Sequence, residues 1–181
     1  MAKNLKRVTG LGLSVFALAI VSLAWARISR AQGQPDFLSP NEANQVRDEQ
    51  DPGGRAKLFL NFAHDRLQKF EYELALKTPQ MHREELLNGL LDGYSSCLDE
   101  GAERLRDARE AGANLRRVIS AFQKETKENL EALKKVEAAG GPEINSIKDN
   151  LDDAIGSTQD ALDEANKAAK EYGSVPIRRK T

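Results

Sequence analysis

The sequence predicts an all-α protein, and three observations carry that prediction. First, Leu87, Leu91, Tyr94, Leu98, Gly101, Leu105, Ala108, Gly112, Leu115, Ile119, Phe122, Thr126, Asn129, Leu133 and Val136 follow one another at alternating spacings of four and three, the repeat of a packed helical seam. Second, Ile144, Ile147, Leu151, Ala154, Thr158, Ala161, Ala165, Ala168 and Tyr172 carry the same repeat. Third, the chain is 40% apolar and 30% charged with only 6% aromatic residues, a composition suited to amphipathic helices and too apolar for disorder over most of its length.

Taken in order, the chain opens with Lys3, Lys6 and Arg7 ahead of an apolar run from Val8 to Ala26, the pattern of a secretory signal. Residues 1–31 are read as that signal. Cleavage is expected between Ala31 and Gln32, which leaves a spacer after the apolar run, with Ala26 and Arg27 as the alternative site. The competing expectation is an uncleaved anchor, since the run approaches the ~20 residues that span a bilayer. Cleavage makes the protein periplasmic or secreted in a bacterium; retention ties it to the inner membrane.

Residues 32–53 read as a linker with a possible short helix. Ser39 is placed to cap that helix, Pro40 to occupy its first turn and Glu42 to complete a capping box. Asp51-Pro52-Gly53-Gly54 reads as a break. The helical domain follows over residues 54–172, and its first main helix is expected at about 54–77. There Ala56, Leu60, Ala63, Leu67, Phe70 and Leu74 form one apolar row. Leu58, Phe62, Tyr72 and Leu76 form another on a different face. Because an exposed apolar face marks a contact surface, these four are the candidate partner surface. The competing cover for that row is the short leading helix, through Phe37, Leu38 and Val46.

Thr78-Pro79-Gln80 turns the chain, and so short a link favours antiparallel neighbours. The seam then runs from 82 to 138. Ala111-Gly112-Ala113-Asn114 is its weak point, since glycine costs ~1 kcal/mol inside a helix and is common just past a helix end. The unbroken phase across Gly112 favours one continuous helix, about 85 Å long at 1.5 Å per residue. That arrangement sets antiparallel helical hairpins around one long central helix, an elongated, coiled-coil-like group of three. A break at Gly112 gives instead an antiparallel four-helix bundle. Ala139-Gly140-Gly141-Pro142 ends the central element and opens a last helix over about 142–172. Residues 173–181, with Arg178, Arg179 and Lys180, read as a basic disordered tail.

Arg55-Ala56-Lys57-Leu58-Phe59-Leu60-Asn61-Phe62-Ala63-His64-Asp65-Arg66-Leu67 resembles the opening helix of exported bacterial α-helical domains that share an Arg-Ala-x-Leu start and an Ala-x-x-Arg-Leu segment. The resemblance covers about residues 55–111. It implies export and a helical fold, and those domains have no established activity.

The chemistry-bearing residues are few. His64 and His82 are the only histidines, and neither sits in an ExxH or HExxH spacing, so no metal is expected. No glycine-rich loop follows a strand-like run, and Ser95-Ser96 lacks a base at helical spacing. Asp99-Glu100 and Asp152-Asp153 are adjacent pairs that point apart on a helix. Cys97 is the single cysteine, expected to be buried. No catalytic residue and no cofactor is expected. Loss of residues 1–31 removes five basic residues and no acidic one, leaving 22 Lys and Arg against 28 Asp and Glu, a net charge of −6. That balance disfavours nucleic acid. The expected function is a structural or protein-interaction module whose partner is another protein or a second copy of the chain. The alternatives are a helical-bundle sensor or carrier for a small apolar ligand, and a membrane-tethered spacer.

Overall fold

The computed structural model describes residues 37–78 and 81–174, all within one unit that begins at Asp36. The expected signal, both of its expected cleavage sites, and residues 175–181 of the expected tail lie outside the described residues.

All regular structure among the described residues is helical, with no strand among them. Helix α1, Pro40–Asp48, starts as its residues dictate. Ser39 Oγ accepts from the Glu42 amide at 3.3 Å, and the Ser39 amide donates to Glu42 Oε2 at 2.8 Å, a complete capping box. Helix α2, Pro52–Ala75, starts earlier than expected. Asp51 accepts from the Gly54 amide at 2.6 Å and Pro52 takes the first turn, so the break is Glu49–Asp51 and both glycines lie inside the helix. At the far end of α2, Arg83 donates to the carbonyls of Leu74 (2.9 Å) and Leu76 (3.0 Å) and pairs with Glu143 at 2.6 Å. A buried cation thus takes up the carbonyls that the helix leaves without partners.

The continuous helix expected over 82–138 does not form. Helix α3, Arg83–Glu110, stops just before Gly112, and helix α4, Arg116–Ala139, begins after five intervening residues. Gly112 has φ +71°, which a β-carbon disfavours. The Gly112 amide donates to the Arg109 carbonyl and the Ala113 amide to the Ala108 carbonyl, each at 3.0 Å, the bond pair of a Schellman stop. Tyr172 Oη fastens the same turn by donating to the Ala113 carbonyl. The seam residues themselves are placed as expected: from Leu87 to Leu133 all are buried except Gly112. Phase continuity misled because Ala108 and Leu115, the last and first buried residues on either side of the turn, stand seven apart, one full repeat.

The last helix is also interrupted. Helix α5, Pro142–Ser146, stops at Ile147, and helix α6, Lys148–Ser174, carries on past Gly173. Ile144 before the interruption and Ile147 at it are both buried.

The four long helices pack as a ring in the order α2, α3, α6, α4. Phe59 beside Gly101, and Leu74 on Arg83, set α2 and α3 antiparallel. Gln123 on Asn166 (2.8 Å) and Glu137 near Lys148 (3.9 Å) do the same for α4 and α6. The other two neighbouring pairs run parallel. Tyr94 meets Thr158 and Arg109 meets Glu164, aligning α3 with α6. Gly53 lies against Leu115 and Val118, aligning α2 with α4. Helices α3 and α4, consecutive in the chain, therefore face each other across the centre, where Gly101 lies against Phe122.

One polar layer crosses that centre. Thr158 Oγ1 donates its only proton to the Ala154 carbonyl at 2.6 Å, so Tyr94 Oη is the donor in its 2.7 Å bond to Thr158. Thr126 Oγ1 donates to the Phe122 carbonyl at 2.5 Å. Burial pushes the Tyr94 phenol up from 10.0 to about 12; the neighbouring Thr158 and Asn129 side chains oppose this and the Asp99 charge adds to it. Because the folded pKa lies above the unfolded one, this contribution to stability is full below pH 10 and is lost as pH rises toward about 12. Denaturant melts between pH 9 and 12 should show stability falling over that window, and Tyr94→Phe should flatten the fall. An equal fall in the variant would assign it to other groups.

Candidate functional site

Three helices make a groove of about 700 Å³. Its floor is α2, with Leu58, Asn61 and Phe62. One wall is α1, with Ser39, Glu42 and Gln45; the other is α4, with Lys124, Glu125 and Glu128. The ring explains the placing. Helix α2 packs on α3 through Ala56, Leu60, Ala63, Leu67 and Phe70, all buried. It packs on α4 along the side that carries Leu58 and Phe62, and α1 closes on it from beyond. Leu58 and Phe62 of the second apolar row thus lie beside α4 and α1, and α4 was not among the covers that sequence spacing offered.

The four residues of the expected partner surface are not brought together. Phe62 is buried, stacked edge-on against Phe59 with ring centres 6.1 Å apart, and Leu58 is half-buried beside it. Tyr72 lies near the other end of α2 and is 65% exposed. Leu76 is half-buried just past that helix end. Only Leu58 and Phe62 belong to the groove. Among its twelve lining residues they alone are apolar, so it suits a polar peptide surface better than an apolar small molecule.

Arg66, which spacing did not single out, organises the α1 wall. Its Nη1 and Nη2 donate to Glu42 Oε1 and Oε2 at 2.8 and 3.0 Å, a two-toothed pair. The same nitrogens donate to the carbonyls of Phe62 (3.0 Å) and Phe37 (2.8 Å). Burial pushes the Glu42 carboxyl up, but the hydrogen bonds from Arg66 and Ser39, with the Arg66 charge, outweigh it and hold it below its usual range. Glu42 was legible as a cap; its second role was not, because Arg66 is 24 residues away.

His64 also lines the groove, its Nε2 2.9 Å from Gln68 Nε2 and its buried Nδ1 without a partner. His82 is exposed, beside Glu85 at 2.9 Å. The two histidines lie on different elements, His64 within α2 and His82 at the start of α3, as the hairpin requires.

A second groove runs between the parallel helices α3 and α6. Its lining includes Asp92, Ser95, Asp99, Asp152, Asp153 and Asp160. Asp152 and Asp153, an adjacent pair expected to point apart, both line it, and pairing the two helices adds carboxylates from α3. Burial raises the Asp99 carboxyl; a hydrogen bond with Ser157 opposes this and the Asp160 charge adds to it. Among the described residues, no three His, Cys, Asp or Glu side chains converge to hold a metal ion. No family model, curated protein or solved structure matches the chain.

Proposed function

We propose that this chain is an exported, non-catalytic helical module that binds another protein, and that the groove between α1, α2 and α4 is its docking face. One observation carries the reading: the Leu58–Phe62 floor lies between walls rich in charged and amide groups. An apolar strip inside a polar rim is the anatomy of a protein contact. Export rests on the basic and apolar pattern of residues 1–31 and on the resemblance of residues 55–111 to exported helical domains. In the carrier alternative a small apolar ligand sits between helices, but Tyr94, Leu98 and Phe122 fill that space.

A photo-crosslinking residue at Leu58 tests the docking face in the cells that make the protein, with exposed Lys134 on α4 as control. The expected result is a discrete adduct from position 58 and none from 134. Adducts of equal yield at both positions, or none at 58, would overturn the reading. An adduct of twice the chain mass identifies the partner as a second copy. The membrane-tethered form keeps the apolar run from Val8 to Ala26, and intact mass separates a chain starting at Met1 from one starting at Gln32.

A further inference from the structure

We infer that α1 is a detachable strap that regulates access to the docking face, opening and closing over Phe62 and Cys97 while the four-helix ring stays folded. The inference rests on the docking reading for what the strap controls, but not for its motion.

Five observations converge on it. Helix α1 has nine residues, fewer than the ~12–15 at which an isolated helix becomes even marginal in water, so it is held by what it touches. Its principal contact is with α2. Its buried anchors are small in number: Leu38 and Ala43, with Phe37 and Val46 partly covered. The charged latch is a single residue, Arg66, which holds both Glu42 and the Phe37 carbonyl. Glu49–Asp51 forms the hinge, three residues between two capped helices.

Beneath the latch lies α3. The Arg66 side chain crosses over Gly93, where an added β-carbon would stand 2.9 Å from Nε and 3.1 Å from Cδ. One turn further along the same face is Cys97, fully buried. Burial pushes its thiol up to about 12; the Arg66 charge opposes this, and the Glu42 and Glu100 charges add to it. Arg66, lying over Gly93, thus stands on the side of α3 that carries Cys97. When α1 lifts, the carboxylate of Glu42 leaves, Arg66 stays on α2, and the thiol gains water. The same motion uncovers Phe62.

As the only cysteine of the chain, Cys97 reports the motion directly. The experiment is the labelling rate of the full chain by a small maleimide, followed against urea below the unfolding transition. Wild type is compared with Leu38→Asp, which breaks the apolar anchor, and Glu42→Ala, which breaks the latch. The expected result is labelling almost independent of low urea in wild type, the mark of a local opening. Both variants should label at least tenfold faster, with far-ultraviolet circular dichroism and melting midpoint close to wild type. Labelling that follows urea as steeply as global unfolding, with no acceleration in either variant, would overturn the strap. Since no partner is present in this assay, its failure is distinguishable from failure of the crosslink at Leu58.

Discussion

Ile119→Asp is expected to abolish the cooperative melt of this protein. Ile119 is 3% exposed on α4, between Leu115 and Phe122 on the face turned to the ring centre. Removing a buried isoleucine side chain costs about 2–5 kcal/mol by itself. The aspartate adds an unpaired carboxylate with no polar partner, which either stays charged at greater cost or takes up a proton. Together these rival the whole stability of an ordinary domain, about 5–15 kcal/mol. Circular dichroism at 222 nm against temperature reads the outcome. A melting curve like that of wild type would mean that this face of α4 is open to water.

Gly101→Val is expected to be the second most damaging change. A β-carbon at Gly101 would stand 3.2 Å from Phe59 Cβ, 3.3 Å from Phe122 Cζ and 3.5 Å from the Ala56 carbonyl. Both rings are buried and closely surrounded, so neither can withdraw. Valine adds two further methyl groups into that gap. A cost of about 3 kcal/mol is expected, larger than the fraction of a kcal/mol gained from helix propensity. In a domain of this size that lowers the melting midpoint by roughly 10 °C. Gly89→Ala supplies the opposite sign: nothing lies within 4 Å of its added β-carbon, so the helix gains about 1 kcal/mol. Equal stability of the valine variant and wild type would show that α2 and α3 are not held this close.

What sequence reasoning could and could not reach follows the range of the interactions. Seam residues such as Leu98, Phe122 and Leu151 were legible because burial repeats with the helical period. Ser39 with Glu42 was legible because a capping box spans four residues. The stop at Gly112 was present as a local signal, a glycine between two alanines, but the seven-residue step from Ala108 to Leu115 erased the phase slip that would have settled it. Pairing between distant segments left no local trace. Nothing in the spacing says that α3 and α6 run parallel, so the acidic groove from Asp92 to Asp160 was out of reach. The latch was also out of reach, because Arg66 reads as one more charge on a solvated face until α1 is laid beside it. Half of the expected partner surface, Leu58 and Phe62, fell in the groove. Tyr72 and Leu76 share the periodicity but lie beyond it along α2, because periodicity gives a face and not a position along it.

The central claim is that α4 turns back at Gly112 to lie beside α2, since without that turn the docking groove does not exist. The most direct test places spin labels at Asn61 and Glu128, two residues that line the one groove, in a Cys97→Ala background, and measures the distance between them by pulsed dipolar spectroscopy. Neighbouring helices with axes about 10 Å apart predict a single short distance. A helix continuous through Gly112 would carry Glu128 some 30 residues beyond the part of α3 that faces Asn61, and would give about 45 Å. That longer distance would contradict the ring, the groove and the strap together.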